Sequence, residues 1–305
     1  MIQIGVQTGG IEKCYRDVDD AYRIIKEAGF EGVDANVDHL LTSGEARNMV
    51  RPEWFNGDDR TAAEAFRPWR DGAKKYGLEN FQAHAPFPTY LPGQDGEYNE
   101  YMLDVLRKTI IGCDYMDCRR LVIHPFFTPY DCALDPQKEW EVNIERYSKL
   151  IPTAKQYGVT VCLENMFTGY RGRIYAAVCS DITTACNYVD ELNRIAGEKT
   201  FGFCVDTGHL LLCSLDIKNT LTELGDRVEC FHVHDNNGLN DQHLAPYMGV
   251  LDWKRFVEGL REINFDKPMC FETFNIWNTF DHELCPEVMK LIARTGRMFA
   301  QRAAE

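Results

Sequence analysis

Side chains that bind metal ions follow short apolar runs at six points along the chain. The six segments are Ala83-His84-Ala85-Pro86, Ile123-His124-Pro125, Leu163-Glu164-Asn165, Val205-Asp206-Thr207-Gly208-His209, Phe231-His232-Val233-His234-Asp235 and Cys270-Phe271-Glu272. Six of the eight histidines lie in or just beyond these segments. A carboxylate that ends a buried run loses its hydration and needs a positive partner. The joint pattern therefore predicts that these side chains meet around a cation.

The ligand types indicate which cation this is. A minimal set of Glu164, Asp206, His232 and Glu272 offers three carboxylates and one imidazole. Such an oxygen-rich site suits Mn²⁺, Mg²⁺ or Co²⁺ better than a structural zinc ion, which prefers thiolates. Mn²⁺ is the ion we expect, and Zn²⁺ becomes a candidate if further histidines also bind metal.

Five more polar residues near these segments have two open interpretations. They are His84, His124, His234, Asp241 and His243. In one interpretation they hold additional ions. His84 and His124 flank a second ion bridged by Glu164. His209, together with the Asp241-Gln242-His243 segment, holds a third ion. In the other they hydrogen-bond substrate hydroxyl groups or orient the primary ligands.

The elements that must position these side chains follow from the spacing of the apolar runs. Eight runs read as strands: Ile2–Gln7, Gly32–Ala35, Asn80–Ala83, Leu121–Ile123, Thr160–Leu163, Phe201–Val205, Cys230–Val233 and Pro268–Phe271. Helical periodicity between them predicts helices over Asp17–Ala28, Tyr101–Met116, Asn143–Tyr157, Ile182–Ile195, Trp253–Ile263 and Pro286–Ala300. Eight near-continuous apolar strands alternating with helices are typical of a closed parallel barrel.

The fold class predicted is therefore α/β, a single (β/α)₈ TIM barrel with extended βα loops, in which residues 1–305 form one domain. Active sites of such barrels lie at the C-terminal ends of the strands, where the metal-binding types occur. The segment 37–60 lacks periodicity and is expected to be a long loop. A doubly wound open sheet is the alternative, but no GxGxxG follows the first strand.

Composition excludes several classes of protein. The 33 Lys and Arg residues face 47 Asp and Glu residues, so the formal net charge of −14 has the wrong sign for binding phosphate backbones. No basic leader or membrane-length apolar stretch is evident. The 12 cysteines include no CxxC pair and are expected to be reduced, mostly buried thiols in the cytoplasm.

The order of the motifs resembles a known family. His-Ala-Pro, Ile-His-Pro, Leu-Glu-Asn, Asp-Thr-Gly-His, Phe-His-Val-His-Asp and a final Phe-Glu are similar to those of the sugar phosphate isomerase/epimerase group. These xylose isomerase-like barrels include the endonuclease IV type of apurinic endonuclease. The resemblance to ketose 3-epimerases implies one metal on Glu164, Asp206, His232 and Glu272, with both glutamates moving a proton. The resemblance to the endonucleases implies a larger set of nine ligands, and every one of those positions has a counterpart in this chain.

Loop composition favours the sugar branch. The loops after the strands are aromatic rather than basic, although Lys13 and Arg16 follow the first strand. Aromatic faces pack against the C–H faces of sugar rings, so Trp54, Phe87, Tyr170 and Trp277 are candidate substrate-binding residues. Arg171 is a further candidate because its segment carries two closely spaced cations. We expect a small neutral sugar or glycoside as the partner, with no nucleic acid and no membrane. The closely spaced cations Arg171 and Arg173 leave a phosphorylated sugar as the alternative. A homo-oligomer or a small second subunit is compatible with this expectation.

The expected activity is that of a metal-dependent sugar isomerase or epimerase, which abstracts a proton next to a carbonyl through a metal-stabilised enediolate. Glu164 is the predicted base, Glu272 the predicted acid and His209 an auxiliary hydrogen-bonding group. One alternative is a lyase of the same group that cleaves C-glycosides of oxidised sugars. An endonuclease IV-like phosphodiesterase and a non-catalytic sugar-binding barrel rank lower.

Overall fold

A computed structural model describes residues 2–11, 17–37, 40–94, 96–126 and 135–305 of the chain. Lys13 and Arg16, named above, lie outside these ranges. The strands are Ile4–Gln7 (β1), Gly32–Asn36 (β2), Glu79–His84 (β3), Arg120–Val122 (β4), Thr160–Glu164 (β5), Phe167–Tyr170 (β6), Arg173–Ala176 (β7), Phe201–Asp206 (β8), Val228–Val233 (β9) and Met269–Phe271 (β10).

All of these strands except β6 and β7 form a closed parallel barrel. The barrel closes where β1 pairs with both β2 and β10, with Val6 opposite Val33 on one side and opposite Phe271 on the other. Each of the eight predicted strands overlaps one barrel strand. The (β/α)₈ barrel predicted from the sequence is therefore confirmed.

Helices surround the barrel and fill most of the connections. They are Val18–Ala28 (α1), Ser43–Arg47 (α2), Glu53–Asn56 (α3), Asp59–Glu64 (α4), Arg67–Tyr76 (α5), Tyr98–Tyr115 (α6), Pro136–Ser148 (α7), Ile151–Tyr157 (α8), Ile182–Ala196 (α9), Thr207–Leu212 (α10), Ile217–Leu224 (α11), Trp253–Glu262 (α12), Ile276–Thr279 (α13) and Cys285–Ala304 (α14). In the part of the chain that is described, no helix has the length and apolar character needed to cross a membrane.

The predicted helix over Asn143–Tyr157 is in fact two helices, α7 and α8. Pro152 lies in the first turn of α8 and has no N–H to continue the hydrogen-bond ladder of α7. Periodicity carries across such a break because the apolar residues of both helices face the same core. A proline in an otherwise periodic stretch was therefore the better signal of a boundary.

The segment 37–60, expected to be a long loop, contains two short helices and the start of a third among its described residues. Thr42 and Glu45 form a capping box at the start of α2. Trp54 and Phe55 of α3 pack with Leu41 and Tyr101 in a second, smaller core. Helices of four to six residues span fewer than two turns, too few for an apolar period to repeat, which explains why the pattern did not reveal them.

An unpredicted hairpin, formed by β6 and β7, rises from the end of β5. Its two central turn residues, Arg171 and Gly172, both have positive φ angles, of 50° and 73°. This backbone conformation is the one that two-residue hairpin turns require, and glycine supplies it at little cost. The strands are only four residues long and contain no buried residue, so the sequence lacks the apolar alternation of a buried strand.

The opposite end of the barrel contains a cluster of charges around the buried Glu229, near the start of β9. Its carboxylate lies 2.7 Å from Lys199 Nζ, 2.9 Å from Lys267 Nζ and 3.4 Å from Arg120 Nε. Burial alone would raise the pKa of Glu229, but the hydrogen bonds from Lys199 and Lys267 outweigh it and hold the pKa below its usual value. The ionised carboxylate therefore stabilises the folded barrel at neutral pH.

Replacing Glu229 with glutamine should lower the free energy of unfolding by about 2–3 kcal/mol at pH 7, because three cations lose their shared partner. The pKa of Glu229 is lowered on folding, so its contribution is lost as the pH falls through the folded value. The difference between wild type and variant should shrink below about pH 4. Urea unfolding at pH 7 and pH 3.5 measures both effects.

The matched control is Glu27→Gln, which breaks an exposed i,i+4 pair with Arg23. This variant should stay within about 0.5 kcal/mol of wild type. Equal changes in the free energy of unfolding for the two substitutions would show that the Glu229 cluster stabilises the fold no more than an exposed ion pair does.

Candidate metal centre

The predicted polar residues lie together at the C-terminal mouth of the barrel. His84, Glu164 and Asp206 are the last residues of β3, β5 and β8, and Glu272 directly follows β10. His232 lies one residue before the end of β9, opposite Asp206 on the neighbouring strand. The parallel register of the barrel thus brings residues that are far apart in sequence to one place.

One imidazole nitrogen faces three carboxylates at the centre of this mouth. His232 Nδ1 lies 3.1 Å from Glu164 Oε1, 3.5 Å from Glu272 Oε2 and 4.0 Å from Asp206 Oδ2. All four side chains are buried. Among the described residues, the ion-pair partners found for the three carboxylates are all histidines. Three buried carboxylates around one point favour a divalent cation.

The two glutamates differ in proton affinity. Burial raises the pKa of Glu272 to about 7, although His232 and His243 oppose the rise. Burial also acts on Glu164, but the positive charge of His232 and the contact with His124 outweigh it and hold the pKa of Glu164 well below its usual range. Near neutral pH, Glu164 is ionised while Glu272 is poised to carry a proton.

A second group of ligands shares Glu164. Glu164 Oε2 lies 3.4 Å from His124 Nε2 and 4.0 Å from His84 Nε2, and this buried oxygen has no hydrogen-bond partner among the described residues. His84 Nδ1 donates to the carbonyl oxygen of Ala85, so the lone pair of the ring is on Nε2, which lies 3.0 Å from His124 Nε2. Burial and the neighbouring imidazoles lower the pKa of His84 to about 3, so its ring is neutral, as a metal ligand must be.

A third group lies toward the rim of the mouth. Asp241 Oδ2 is 2.9 Å from His243 Nε2 and 3.7 Å from His209 Nε2. Burial lowers the pKa of His209, but Asp206 and Asp241 outweigh it and raise the value to about 10. His234 links this group to the centre, because its Nε2 lies 2.9 Å from Asp206 and its ring stacks on His243 at 4.0 Å.

These donor atoms fit divalent ions. Glu164, Asp206 and His232 place one ligand atom each within 4.8 Å of one another, and so do His84, His124 and Glu164. The same holds for His234, Asp241 and His243. Carboxylate oxygens with imidazole nitrogens suit Mn²⁺, Co²⁺ and Zn²⁺, and the neutral His84 ring adds a nitrogen donor. The structure thus brings together all ten polar residues predicted from the sequence: Glu164, Asp206, His232, Glu272, His84, His124, His209, His234, Asp241 and His243.

Phenylalanine rings surround the outer imidazoles. Phe87 packs against His124 with a centroid distance of 5.2 Å, and Phe167 packs edge-on against His209 at 4.9 Å. Phe274 stacks on His243 at 4.1 Å. Phe87 was a predicted substrate-binding residue, and the other two rings belong to the same aromatic loops. Together the three rings form an apolar border around a polar centre.

The other predicted substrate-binding residues lie in different surroundings. Trp54 is buried in the second core, where its Nε1 donates to the carbonyl oxygen of Leu40. Trp277 is also buried and packs close to Gly10, whose backbone has a positive φ angle of 81°. Tyr170 and Arg171 lie at the hairpin turn, where the guanidinium group of Arg171 sits over the Tyr170 ring.

Sequence reasoning missed several polar residues that support the centre. Gln7 Nε2 donates to Glu272, and Gln82 Nε2 donates to Asp34 at 2.9 Å. Asp34 Oδ2 in turn lies 3.2 Å from His232 Nε2. The available signal was a polar residue inside an otherwise apolar run, as in Gly32-Val33-Asp34-Ala35.

Asp235, part of the predicted motif but given no role there, holds the loop that carries Asp241 and His243. Its carboxylate accepts hydrogen bonds from Leu251 N at 3.0 Å and from Trp253 Nε1 at 3.1 Å, both beyond the loop. Its backbone pairs with Leu244 in an isolated antiparallel bridge. The buried Asp235 thus folds the segment after β9 back over the barrel mouth.

A closed parallel barrel with histidines and carboxylates at its strand ends is the architecture of a known family of proteins. Residues 22–294 match the xylose isomerase-like TIM barrel family, and the chain belongs to that family. It is 25% identical to the protein MJ1311 of Methanocaldococcus jannaschii over 213 residues, which cover 68% of this chain and 70% of that protein. It is 23% identical to a probable endonuclease 4 of Thermoplasma acidophilum over 244 residues, covering 72% of this chain and 78% of that protein.

A solved structure shares the fold over almost the whole chain. The 3-keto-D-glucoside 4-epimerase of E. coli superimposes with a TM-score of 0.71 at 16% identity, covering 97% of this chain and 100% of that one. At this identity the likeness concerns the barrel fold.

Metal binding should strengthen as the pH rises from 6 to 8. Glu272, with a pKa near 7, and His209, with a pKa near 10, carry protons that a cation must displace. Since binding releases protons, a higher pH favours the bound form. Calorimetric titration of the metal-free protein with Mn²⁺ or Zn²⁺, in two buffers of different ionisation enthalpy, counts the released protons.

The variant Glu272→Gln should release fewer protons and bind more weakly. Glu283→Gln, an exposed glutamate in the same connection after β10, is the matched control. Binding that is independent of pH and buffer would contradict the proton states assigned to the centre.

Proposed function

We propose that the protein is a metal-dependent isomerase or epimerase of sugars that transfers a proton next to a carbonyl group. The observation that carries this proposal is the pair Glu164 and Glu272. Both carboxylates face His232 Nδ1, yet they come from β5 and β10, which are separated in the barrel by β8 and β9. Groups with opposite proton states on different sides of one point suit a base and an acid acting on one carbon.

The residues divide the work as follows. Ionised Glu164 removes the proton from the carbon next to the carbonyl, and the electron pair of the broken C–H bond moves toward the carbonyl oxygen. Glu272 delivers its proton to the same carbon from another side, which inverts the configuration. Delivery to the neighbouring carbon instead gives aldose–ketose isomerisation. His209, held by its Nδ1 hydrogen bond to the carbonyl oxygen of Asn165, directs Nε2 toward Asp241 and the rim, where it can bind a substrate oxygen.

Glu164, Asp206, His232 and Glu272 would hold the primary ion, with Mn²⁺ the first choice and Mg²⁺, Co²⁺ and Zn²⁺ as alternatives. When bound, a divalent cation supplies Lewis-acid stabilisation of the negative charge that develops beside the carbonyl. The outer groups around His84 and around Asp241 then bind further ions or substrate hydroxyl groups.

The surroundings of the centre favour a neutral sugar or glycoside over a phosphorylated one. Phe87, Phe167 and Phe274 border it, and Arg171 at the hairpin turn is the cation that we assign to substrate binding. Rings of this kind pack against the C–H faces of a sugar and exclude water. The three phenylalanine rings would also accept the flat aglycone of an oxidised C-glycoside. The alternative activity, a lyase that cleaves such substrates, is therefore tested in the same assay with 3-oxo-glycosides. We place the enzyme in the cytoplasm, either as a homo-oligomer or with a small second subunit.

Glu164→Gln and Glu272→Gln should each reduce turnover by about 10³-fold, because each removes one of the two proton-transfer groups. The assay offers ketoses, ketose phosphates and 3-oxo-glycosides to the metal-loaded protein in D₂O. Wild type should introduce deuterium at the carbon beside the carbonyl. Glu283→Gln again serves as the control and should retain full activity.

Loss of metal could produce the same decrease in turnover, so the metal content of each variant is measured in parallel. A metal-loaded variant should still exchange deuterium through its remaining carboxylate while net epimerisation is lost. Conversion of a sugar without deuterium entry would refute proton transfer by these glutamates and indicate a hydride shift instead.

The nine-ligand arrangement favours one other activity, phosphodiester hydrolysis of the endonuclease IV kind. We expect wild type neither to cut an abasic duplex nor to bind one at physiological salt, since the chain carries a net charge of −14. Incubation of the metal-loaded protein with an abasic duplex, with and without EDTA, tests this expectation. EDTA-sensitive incision would replace the sugar assignment with the endonuclease one.

A further inference from the structure

Asp34 is a buried carboxylate in the barrel interior that the proposed chemistry does not use. It is the third residue of β2 and is fully buried. The one ion-pair partner found for it among the described residues is His232, whose Nε2 lies 3.2 Å from Asp34 Oδ2. A carboxylate in such a place loses its hydration, and this cost is offset only by a charged or hydrogen-bonding partner.

The imidazole of His232 connects Asp34 to the metal centre. Its Nδ1 faces Glu164 and Glu272, and its Nε2 faces Asp34 on the far side of the ring. An imidazole can offer a lone pair on Nδ1 while Nε2 keeps its proton. A carboxylate next to Nε2 favours that arrangement and fixes the ring orientation.

Gln82 fixes the position of Asp34 in turn. Its Nε2 donates to Asp34 Oδ2 at 2.9 Å and to the carbonyl oxygen of Phe231 at 3.1 Å. Phe231 directly precedes His232 on β9, so the amide ties the carboxylate to the strand that carries the ligand. The geometry links β2, β3 and β9 through three buried polar side chains.

We propose that Asp34 is a positioning residue that holds His232 with its proton on Nε2 and its Nδ1 directed at the bound cation. This inference rests on the proposed metal centre and adds a residue to it. Asp34 itself touches neither cation nor substrate in this arrangement. Its effect is therefore on metal affinity and on the state of one imidazole.

The experiment compares wild type with Asp34→Asn, which keeps the shape but removes the charge. Zn²⁺ affinity is measured by competition with a chromophoric chelator, and the unfolding midpoint of the metal-free protein is measured separately. We expect the Zn²⁺ dissociation constant to rise about 10- to 100-fold. The stability of the metal-free variant should change less than its affinity for Zn²⁺, because Nδ1 of His232 keeps Glu164 and Glu272 as charged neighbours. A purely structural role predicts the reverse, with lost stability and unchanged affinity.

Nitrogen-15 NMR of the histidine rings supplies a readout that does not depend on turnover. In wild type, the Nε2–H of His232 should give a signal protected from exchange with solvent, and Asp34→Asn should shift it or remove its protection. Glu79→Gln, at the exposed start of β3, is the control and should leave both the signal and the affinity unchanged.

Gln82→Met is a second variant in case Asp34→Asn does not fold. It leaves the carboxylate in place without its tether, and we expect a smaller loss of affinity, about 3- to 10-fold. Wild-type affinity in Asp34→Asn, with an unchanged His232 signal, would overturn the role of Asp34 alone. A wild-type protein that binds no divalent ion would overturn the metal centre and the role of Asp34 together.

Discussion

The repulsion among buried carboxylates at the barrel mouth is the constraint on which the rest of the site depends. Glu164, Asp206 and Glu272 all approach His232 Nδ1 to within 4.0 Å. In a water-exposed site such an arrangement would cost little, but here the side chains are buried and mutual repulsion is weakly screened. The fold tolerates it because histidines surround the carboxylates and because the site can hold a divalent charge. A neutral histidine has a lone pair that can bind a metal ion, whereas a charged lysine or arginine has none. The histidines around the carboxylates therefore leave nitrogen ligands available to a divalent cation.

The same electrostatics separates the roles of the two glutamates. Glu164 contacts several imidazoles and stays ionised, whereas Glu272 has fewer positive neighbours and its pKa rises to about 7. Their difference follows from position on the barrel: Glu164 lies between two groups of histidines, and Glu272 lies at the edge of one. An acid and a base can therefore arise from two identical side chains without any lysine or tyrosine in the centre.

The barrel and most of the centre could be predicted because both depend on local patterns. A buried strand needs a continuous apolar run, and a metal ligand at its end interrupts that run with a visible His, Asp or Glu. Short helices such as α3 and the hairpin of β6 and β7 left no such pattern. Asp34 and Gln82 lie inside apolar runs, where sequence alone does not show which side chain faces which. Trp54 and Trp277 were selected by residue type, but an aromatic residue in a loop has the same sequence appearance whether it packs inward or lines a pocket.

The elements that supply each ligand explain how one barrel can support different chemistries. Glu164, Asp206 and His232 lie on strands and Glu272 directly follows one, and Asp34 reaches His232 from within the barrel, so this part of the centre is fixed by the strand register. Asp241 and His243 lie on the loop that Asp235 folds over the mouth, and His124 follows β4 by two residues. Loops accept changes in length and sequence that strands do not. The carboxylates to which we assign proton transfer thus belong to the rigid scaffold, while the outer candidate ligands His124, Asp241 and His243 lie on loops bordered by phenylalanine.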